Sequence, residues 1–508
     1  MAHKQLENNN MATLPHDAHR ASSNKSSKSN KSSKDTLRKN TQSNLAQATV
    51  VDAHMLKPVN DIASQRKDVL RNMWLLAVPT FGQLIAEPAF VLIDTAIIGH
   101  IGRNALAGLS IGSTVLLTTT GLCLFLAYNT TSQVARLLGA GKRREGFSVG
   151  MDGLWLAILL GIVLTVILLF AAEPLCYAVG ARGETLRNAI VYTQTVIPGL
   201  PAMLLVYAAN GIFRGLRNVH ITLFAAVSGA IINTILDVIM VFGLRLGIAG
   251  SGIATMIAQW YMGLVLTIPA IVWAVQSQAR LRPHFRHILH SAGSGVPLFV
   301  RTLALRVCMV ATVVMATRLG TNTLAAYQVA NSCWNFVMNI LDAIGIAAQT
   351  IVAAALGAGL RERAGMITRI CAQVGAVSSV IVGLVMILVG WSCSPLFTPH
   401  ADIQLLIAIG MTIIGLFLPL AGWMWALDGV LIGAGDHRYL AKACSATAVV
   451  YLLALLTTYA IDSLLNTHDI TRTITLWVVL NAVYIGGRAV GNSLRIRNDT
   501  WMESAARL

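Results

Sequence analysis

Residues 83–100 read QLIAEPAFVLIDTAIIGH, an apolar run that holds two carboxylates, Glu87 and Asp94. Seven positions separate them, two turns of an α-helix, so both lie on one helical face. Carboxylates at membrane depth usually face a cavity and mark a proton or ion path. A second apolar run, INTILDVIMVFG (232–243), carries Asn233 and Asp237 four residues apart, again on one face. Thr255 follows in GSGIATMIAQ (250–259). Asp94, Asp237, Asn233, Glu87 and Thr255 are therefore candidates for exchanging a proton. Alternatively, Asp94, Asn233 and Asp237 could hold Na⁺, because hard cations prefer oxygen ligands. Structural readings compete with these. Asn233 could simply bond a neighbouring helix, Thr255 its own helix, and Glu87 the amides freed by a kink at Pro88.

A further set of charges, Arg301, Arg306 and Asp342, also falls in apolar sequence. Pairing a buried arginine with an aspartate lowers the cost of both, so a structural or gating pair is expected there. Asp428, in LDGVLIGAGD (427–436), stands beside a glycine turn and is expected to bond at a helix end. Met203, Met338, Trp334, Trp423 and Trp425 are expected to pack between helices, with lining of a cleft for bulky ligands as the alternative.

The elements that position these groups follow from composition. Of 508 residues, 55% are hydrophobic and 12% charged, about half the charge fraction of an ordinary soluble domain. Twelve apolar stretches, from 72–99 to 473–493, are each long enough to cross a bilayer as a helix. The ten-residue alternation of a membrane barrel is missing. This predicts an all-α polytopic membrane protein. Lys and Arg concentrate in alternate loops, which by the positive-inside rule puts both termini in the cytoplasm of a multi-pass cell-membrane protein. The net charge of +16 is then explained by membrane lipid headgroups. Basic residues are not interleaved with stacking aromatics, so no nucleic-acid partner is expected. Seven scattered cysteines suggest neither disulfides nor a metal site. The hydrophilic segment 1–66, containing SSNKSSKSNKSSK, reads as a disordered cytoplasmic tail.

An internal repeat organises the rest. HIGRNALAG (100–108) and RLGTNTLAA (318–326) align at an offset of 218. The same offset carries Pro79 to Pro297, the GAG at 139–141 to 357–359, Pro201 to Pro419 and Gly211 to Gly429. Glycine and proline set helix ends and kinks, so their shared spacing means a shared backbone plan. Each copy holds six spans, an even number, which makes the halves parallel repeats suited to alternating access. We expect an N-lobe at 67–280, a C-lobe at 281–495 and a cytoplasmic tail at 496–508. GAGK at 139–142 lacks the rest of a phosphate loop and is expected to be a helix stop. At Glu87, Asp94, Asn233, Asp237 and Thr255 the second copy has Leu305, Thr312, Tyr451, Leu455 and Thr473. The backbone plan repeats and the acidic chemistry does not.

The stretches EPAFVLIDTAIIGHIG (87–102), AQTIVAAALGAG (348–359) and LDGVLIGAGDHRYLA (427–441) resemble the multidrug and toxic compound extrusion (MATE) family, within it the DinF branch. The resemblance covers about residues 70–495. It implies a V-shaped pair of six-helix lobes exporting organic compounds in exchange for H⁺ or Na⁺. It places the coupling site at Asp94, Asn233 and Asp237, with Thr255 a weaker match and Glu87 where some relatives have an uncharged polar residue. The expected function is thus a secondary antiporter for small organic, amphipathic or cationic compounds, acting as a monomer without a cofactor. No nucleophile–base or metal-ligand pattern points to an enzyme. A flippase of the same superfold for lipids or lipid-linked precursors, expected to show basic residues in its cavity, and a non-transporting scaffold or sensor are the rival readings.

Overall fold

The computed structural model describes residues 62–503 apart from 284 and 466, with side chains other than those at 62–64, 87, 285, 287 and 290. The tail expected at 1–66 lies almost wholly outside the described residues. Twelve helices follow, each of 25 to 37 residues and apolar enough to cross a membrane. They are α1 (Gln65–Gly99), α2 (Arg103–Gly139), α3 (Arg143–Val179), α4 (Gly183–Gly215), α5 (Val219–Gly243), α6 (Ile248–Gln276), α7 (Ser291–Leu319), α8 (Thr321–Gly357), α9 (Arg361–Phe397), α10 (Ala401–Ala434), α11 (His437–Leu465) and α12 (Asp469–Arg497).

The repeat is visible in how helices stop. Two residues past the ends of α2 and α8, Gly141 has φ 73° and Gly359 φ 76°. This is left-handed backbone, which glycine adopts without the Cβ penalty. Lys142 N–H then returns to the Leu137 carbonyl at 2.9 Å, and Leu360 N–H to that of Ala355 at 3.0 Å. The two GAG triplets are helix stops, as the sequence predicts.

Helices within a half approach through small residues, because lipid supplies no hydrophobic drive between helices and close backbone packing must. Gly375 and Gly383 of α9 meet Gly422 and Gly415 of α10 reciprocally. A Cβ on Gly375 would lie 2.4 Å from the Gly422 carbonyl oxygen, and one on Gly383 2.4 Å from that of Gly415.

The interior is three cores rather than one. Ile98, Leu109, Leu116 and Ile197 belong to a core made only by the first six helices. Tyr327, Trp334, Met411 and Trp477 belong to one made only by the last six. A third is shared, and joins Val69, Phe147 and Phe213 to Ile351, Val352 and Ala434 near the ends of the helices that carry the chain termini. The halves thus fuse at the terminal side and part on the other, a V.

The seam of the V is built by α2 and α8. A Cβ on Gly139 would lie 2.1 Å from the Ala354 carbonyl oxygen, and one on Gly357 2.0 Å from that of Arg136. Positions 136 and 354 are repeat equivalents, as are 139 and 357, so the contact is pseudo-two-fold. Around it, Arg136 Nη1 donates to Ala434 O at 3.1 Å, Ser132 Oγ to Gly433 O at 3.3 Å, Gln349 Nε2 to Tyr128 O at 2.8 Å and Asn129 Nδ2 to Ser294 Oγ at 3.0 Å.

The segment expected as a C-terminal tail is not wholly free. Thr500–Glu503 form α13, and Trp501 is buried in the shared core. Gly139→Val is expected to lower the melting temperature in detergent by the equivalent of about 1–3 kcal/mol, the usual penalty of overpacking. Gly293→Ala, where a Cβ meets nothing within 4 Å, is the control and should be neutral or stabilising. Equal melting temperatures for both variants would mean that the seam does not hold the halves.

Candidate functional site

On the far side of the first half, α1, α5 and α6 bring Asp94, Asn233, Asp237 and Thr255 together. All four are buried, Asn233 and Asp237 with no solvent exposure at all. Helical period explains their alignment, since Asn233 and Asp237 share one face of α5, and Ser251 and Thr255 one face of α6. The amide of Asn233 is oriented by its neighbours. With its NH₂ turned to the carboxyls it donates to Asp94 Oδ1 at 3.2 Å and to Asp237 Oδ2 at 2.9 Å, and its oxygen accepts from the Thr255 backbone N–H at 3.2 Å; turned the other way, its NH₂ meets the Thr255 hydroxyl at 3.4 Å. One side-chain amide therefore bridges both carboxyl groups to a third helix.

Ser251 sits beside Asp237, within bonding reach of its carboxyl, and is a fifth buried polar side chain of the cluster. Immediately after Asp237 the α-helical ladder slips into a π turn, Ile239–Gly243, a local irregularity frequent at functional sites. Ser251 is the member of this cluster that the sequence reading missed. Its position one turn before Thr255 was the available signal. The side chain of Glu87 lies outside the described residues.

The equivalent positions of the second half also come together, without charge. Thr312 and Tyr451 share a hydrogen bond of 2.7 Å, and Leu455 and Thr473 are buried nearby in the sequence frame. The same backbone plan thus holds an acidic cluster in one half and a neutral hydroxyl pair in the other.

The arginines depart from expectation. Arg301 does not pair with Asp342; its partner is Asp428, which also accepts from Arg488 Nη2 at 2.6 Å and from Asn492 Nδ2 at 2.8 Å. Asp428 is therefore the centre of a buried charge network and not a helix-end cap. Arg488 lies within α12, where its guanidinium stacks over Trp425 at 5.2 Å and Tyr484 at 5.4 Å. Asp342 instead accepts from Trp425 Nε1 at 2.6 Å. Arg306 pairs with neither aspartate and reaches across to Gly121 of α2. Linear spacing hid these pairings, since residues from α7, α10 and α12 meet only after packing. Trp334 and Trp425 pack edge to face at 6.2 Å, and Met203 is buried, so these side chains serve helix packing.

Two parallel six-helix halves, fused at one side and carrying one acidic cluster between three helices, define a two-lobe helical membrane protein of the transporter type. The MatE family model matches residues 79–239 and 297–467, two copies whose starts differ by the 218 residues of the repeat, and the chain belongs to this family. Protein DETOXIFICATION 43 of Arabidopsis thaliana is 28% identical over 349 residues, which cover 68% of this chain and 64% of that protein. DNA damage-inducible protein F of Escherichia coli (strain K12) is 26% identical over 84% of this chain and 93% of its own length. A probable multidrug resistance protein NorM of Idiomarina loihiensis is 26% identical over 72% of this chain and 80% of its own. The bent form of the Vibrio cholerae MATE transporter VcmN superposes with a TM-score of 0.77 at 18% identity, over 86% of this chain and 99% of that one. The fold is the MATE fold.

Two stability experiments probe these clusters. Asn233→Leu strips two buried carboxyl groups of their shared donor and is expected to cost about 1–3 kcal/mol, read as a lower melting temperature, whereas Asp94→Asn should melt near the wild type. Asp428→Ala leaves two buried guanidinium groups uncompensated, a loss of about 3–5 kcal/mol. It should abolish monodisperse protein in size-exclusion chromatography, and a normal elution profile would contradict the network.

Proposed function

We propose that this protein is a secondary antiporter that exports amphipathic organic compounds by alternating access, coupled to H⁺ at the Asp94–Asp237 cluster. The observation that carries the reading is the meeting of two buried carboxyl groups, from α1 and α5, around one buried amide, with no basic partner among the described residues. A shared proton lowers the cost of holding two such carboxyls together. Na⁺ held by the same side-chain oxygens is the second reading.

Protonation converts an acceptor into a donor, and the bonding of Asn233 to both carboxyls must then be rebuilt. The π turn after Asp237 is where α5 can repack at least cost. The seam at Gly139 and Gly357 closes the side that carries the termini, which matches a state open to the opposite side. Basic loops on the terminal side support a cell membrane with both termini in the cytoplasm. The monomer contains both lobes and the cluster, and the surrounding lipid is its only standing partner in this reading.

The flippase alternative calls for several basic groups to hold a pyrophosphate, and among the described residues Arg306 is the exposed arginine seen to reach from one lobe to the other. A scaffold or sensor has no use for carboxyls kept at membrane depth. The test is efflux from proteoliposomes under separately imposed pH and Na⁺ gradients, for wild type, Asp94→Asn and Asp237→Asn. A pH gradient should drive efflux in wild type, and both variants should lose the gradient-driven component. Undiminished pH-driven efflux in both would sink the mechanism, and drive by Na⁺ alone would reassign the ion.

A further inference from the structure

The inner faces of the two lobes can be traced by helical period from the seam outwards. On α2 the face that meets the other lobe at Arg136 and Ser132 continues through Asn129 to Phe125; the helix turns at Cys123–Leu124, and beyond the turn Gly121, Thr118, Thr114 and Ser110 share a face. On α8 the face of Ala354 and Thr350 continues through Asn339, Asn335, Ser332 and Gln328. Near the seam these faces are buried. Farther out Ser110, Thr114, Thr118, Gln328, Ser332 and Asn335 are all exposed. The hydroxyls of Ser110, Thr114 and Ser332 bond their own helices, but exposed amides at Gln328 and Asn335 would be costly against hydrocarbon, so this face borders a water-filled cleft between the lobes.

The apex of that cleft is marked by contacts from opposite lobes. Phe125 of α2 meets Phe299 of α7 edge to face at 6.3 Å, and Phe81 of α1 meets Phe336 of α8 in the same way at 6.3 Å. About two turns outward from Phe299, on the same side of α7, stands Arg306, exposed. Its guanidinium fits against Gly121, where a Cβ would come within 2.6 Å of Nη2. Among the described residues Arg306 joins no ion pair, while Asp342 is held by Trp425 and Asp428 by Arg301 and Arg488.

We infer that the cleft apex binds the anionic group of an amphipathic organic molecule, a carboxylate or a phosphate, with Arg306 as its charge partner. The exposed amides of Gln328 and Asn335 supply neutral donors, and Phe81 and Phe336 an apolar floor. A guanidinium is suited to this task because its planar fork matches two oxygens of one group. The inference rests on the antiport reading above and names its substrate class, replacing a cationic cargo with an anionic one. The anion could be a soluble metabolite-like carboxylate or phosphate, or the headgroup of an anionic lipid entering from the side.

Size-matched fluorescent amphipaths bearing a carboxylate, no charge or a quaternary ammonium group separate the possibilities, assayed by efflux from phosphatidylcholine proteoliposomes and by direct binding in detergent. Arg306→Gln should raise the half-saturating concentration of the carboxylate about tenfold and leave the uncharged probe unchanged, and Arg306→Lys should recover much of the loss. Gly121→Ala, which crowds the guanidinium, should weaken the carboxylate selectively. Labelled phosphatidylglycerol, followed by dithionite quenching, tests the lipid source; translocation that depends on Arg306 would identify the anion as a headgroup. Equal loss of charged and uncharged probes in Arg306→Gln, or no loss of the carboxylate, overturns the inference. Glu87→Gln controls for an arginine that merely neutralises that residue, and a loss of carboxylate binding equal to that of Arg306→Gln would also overturn it. Arg306-dependent binding without gradient-driven efflux would refute the antiport reading alone. Ammonium efflux that needs Asp94 and ignores Arg306 would refute the anion site alone.

Discussion

The structure turns on the absence of two side chains. At Gly139 and Gly357 the backbones of α2 and α8 come so close that a Cβ on either would overlap the carbonyl of the other helix. Because 139 and 357 are equivalent in the repeat, the contact is made twice about one pseudo-axis. That double contact lets two six-helix lobes share a core at the terminal side while each keeps its own core on the other. A single rigid core would leave no cleft, and no shared core would leave no molecule.

Charge is distributed against this frame in opposite ways. In the second half the buried carboxylate of Asp428 is surrounded by Arg301, Arg488 and Asn492. Such a network favours a fixed arrangement, since removing the aspartate leaves two guanidinium charges uncompensated in low dielectric. In the first half Asp94 and Asp237 have no basic partner among the described residues. Their neighbours are the neutral Asn233, Thr255 and Ser251. One lobe surrounds its buried carboxylate with cations, and the other groups two carboxyls with neutral partners.

The repeat makes this contrast interpretable. Thr312 and Tyr451 close the equivalent site of the second half with one neutral hydrogen bond, so the fold itself needs no carboxyl there. Two acidic residues in the first half are therefore not a requirement of packing.

Much of this was legible in the chain. Twelve apolar runs, the 218-residue offset and the paired GAG stops follow from hydropathy and from glycine's backbone freedom, both local properties. Asp94, Asn233 and Asp237 were legible because a polar group in an apolar run is conspicuous, and Asn233 and Asp237 align by helical period. What stayed hidden were contacts among helices distant in sequence. Nothing in the run around Arg301 says that Asp428 and Arg488 will meet it rather than Asp342, and nothing around Arg306 says that it will cross to Gly121. Ser251 escaped because serine in an apolar helix can bond its own backbone, so its place one turn before Thr255 was only a weak signal. The sequence by itself determined the helices, their repeat and which polar groups had to be sheltered from lipid, because those depend on residue type and spacing. Only the tertiary structure decided which groups shelter one another, because a partner is chosen by the close packing of helices that the order of residues along the chain does not state.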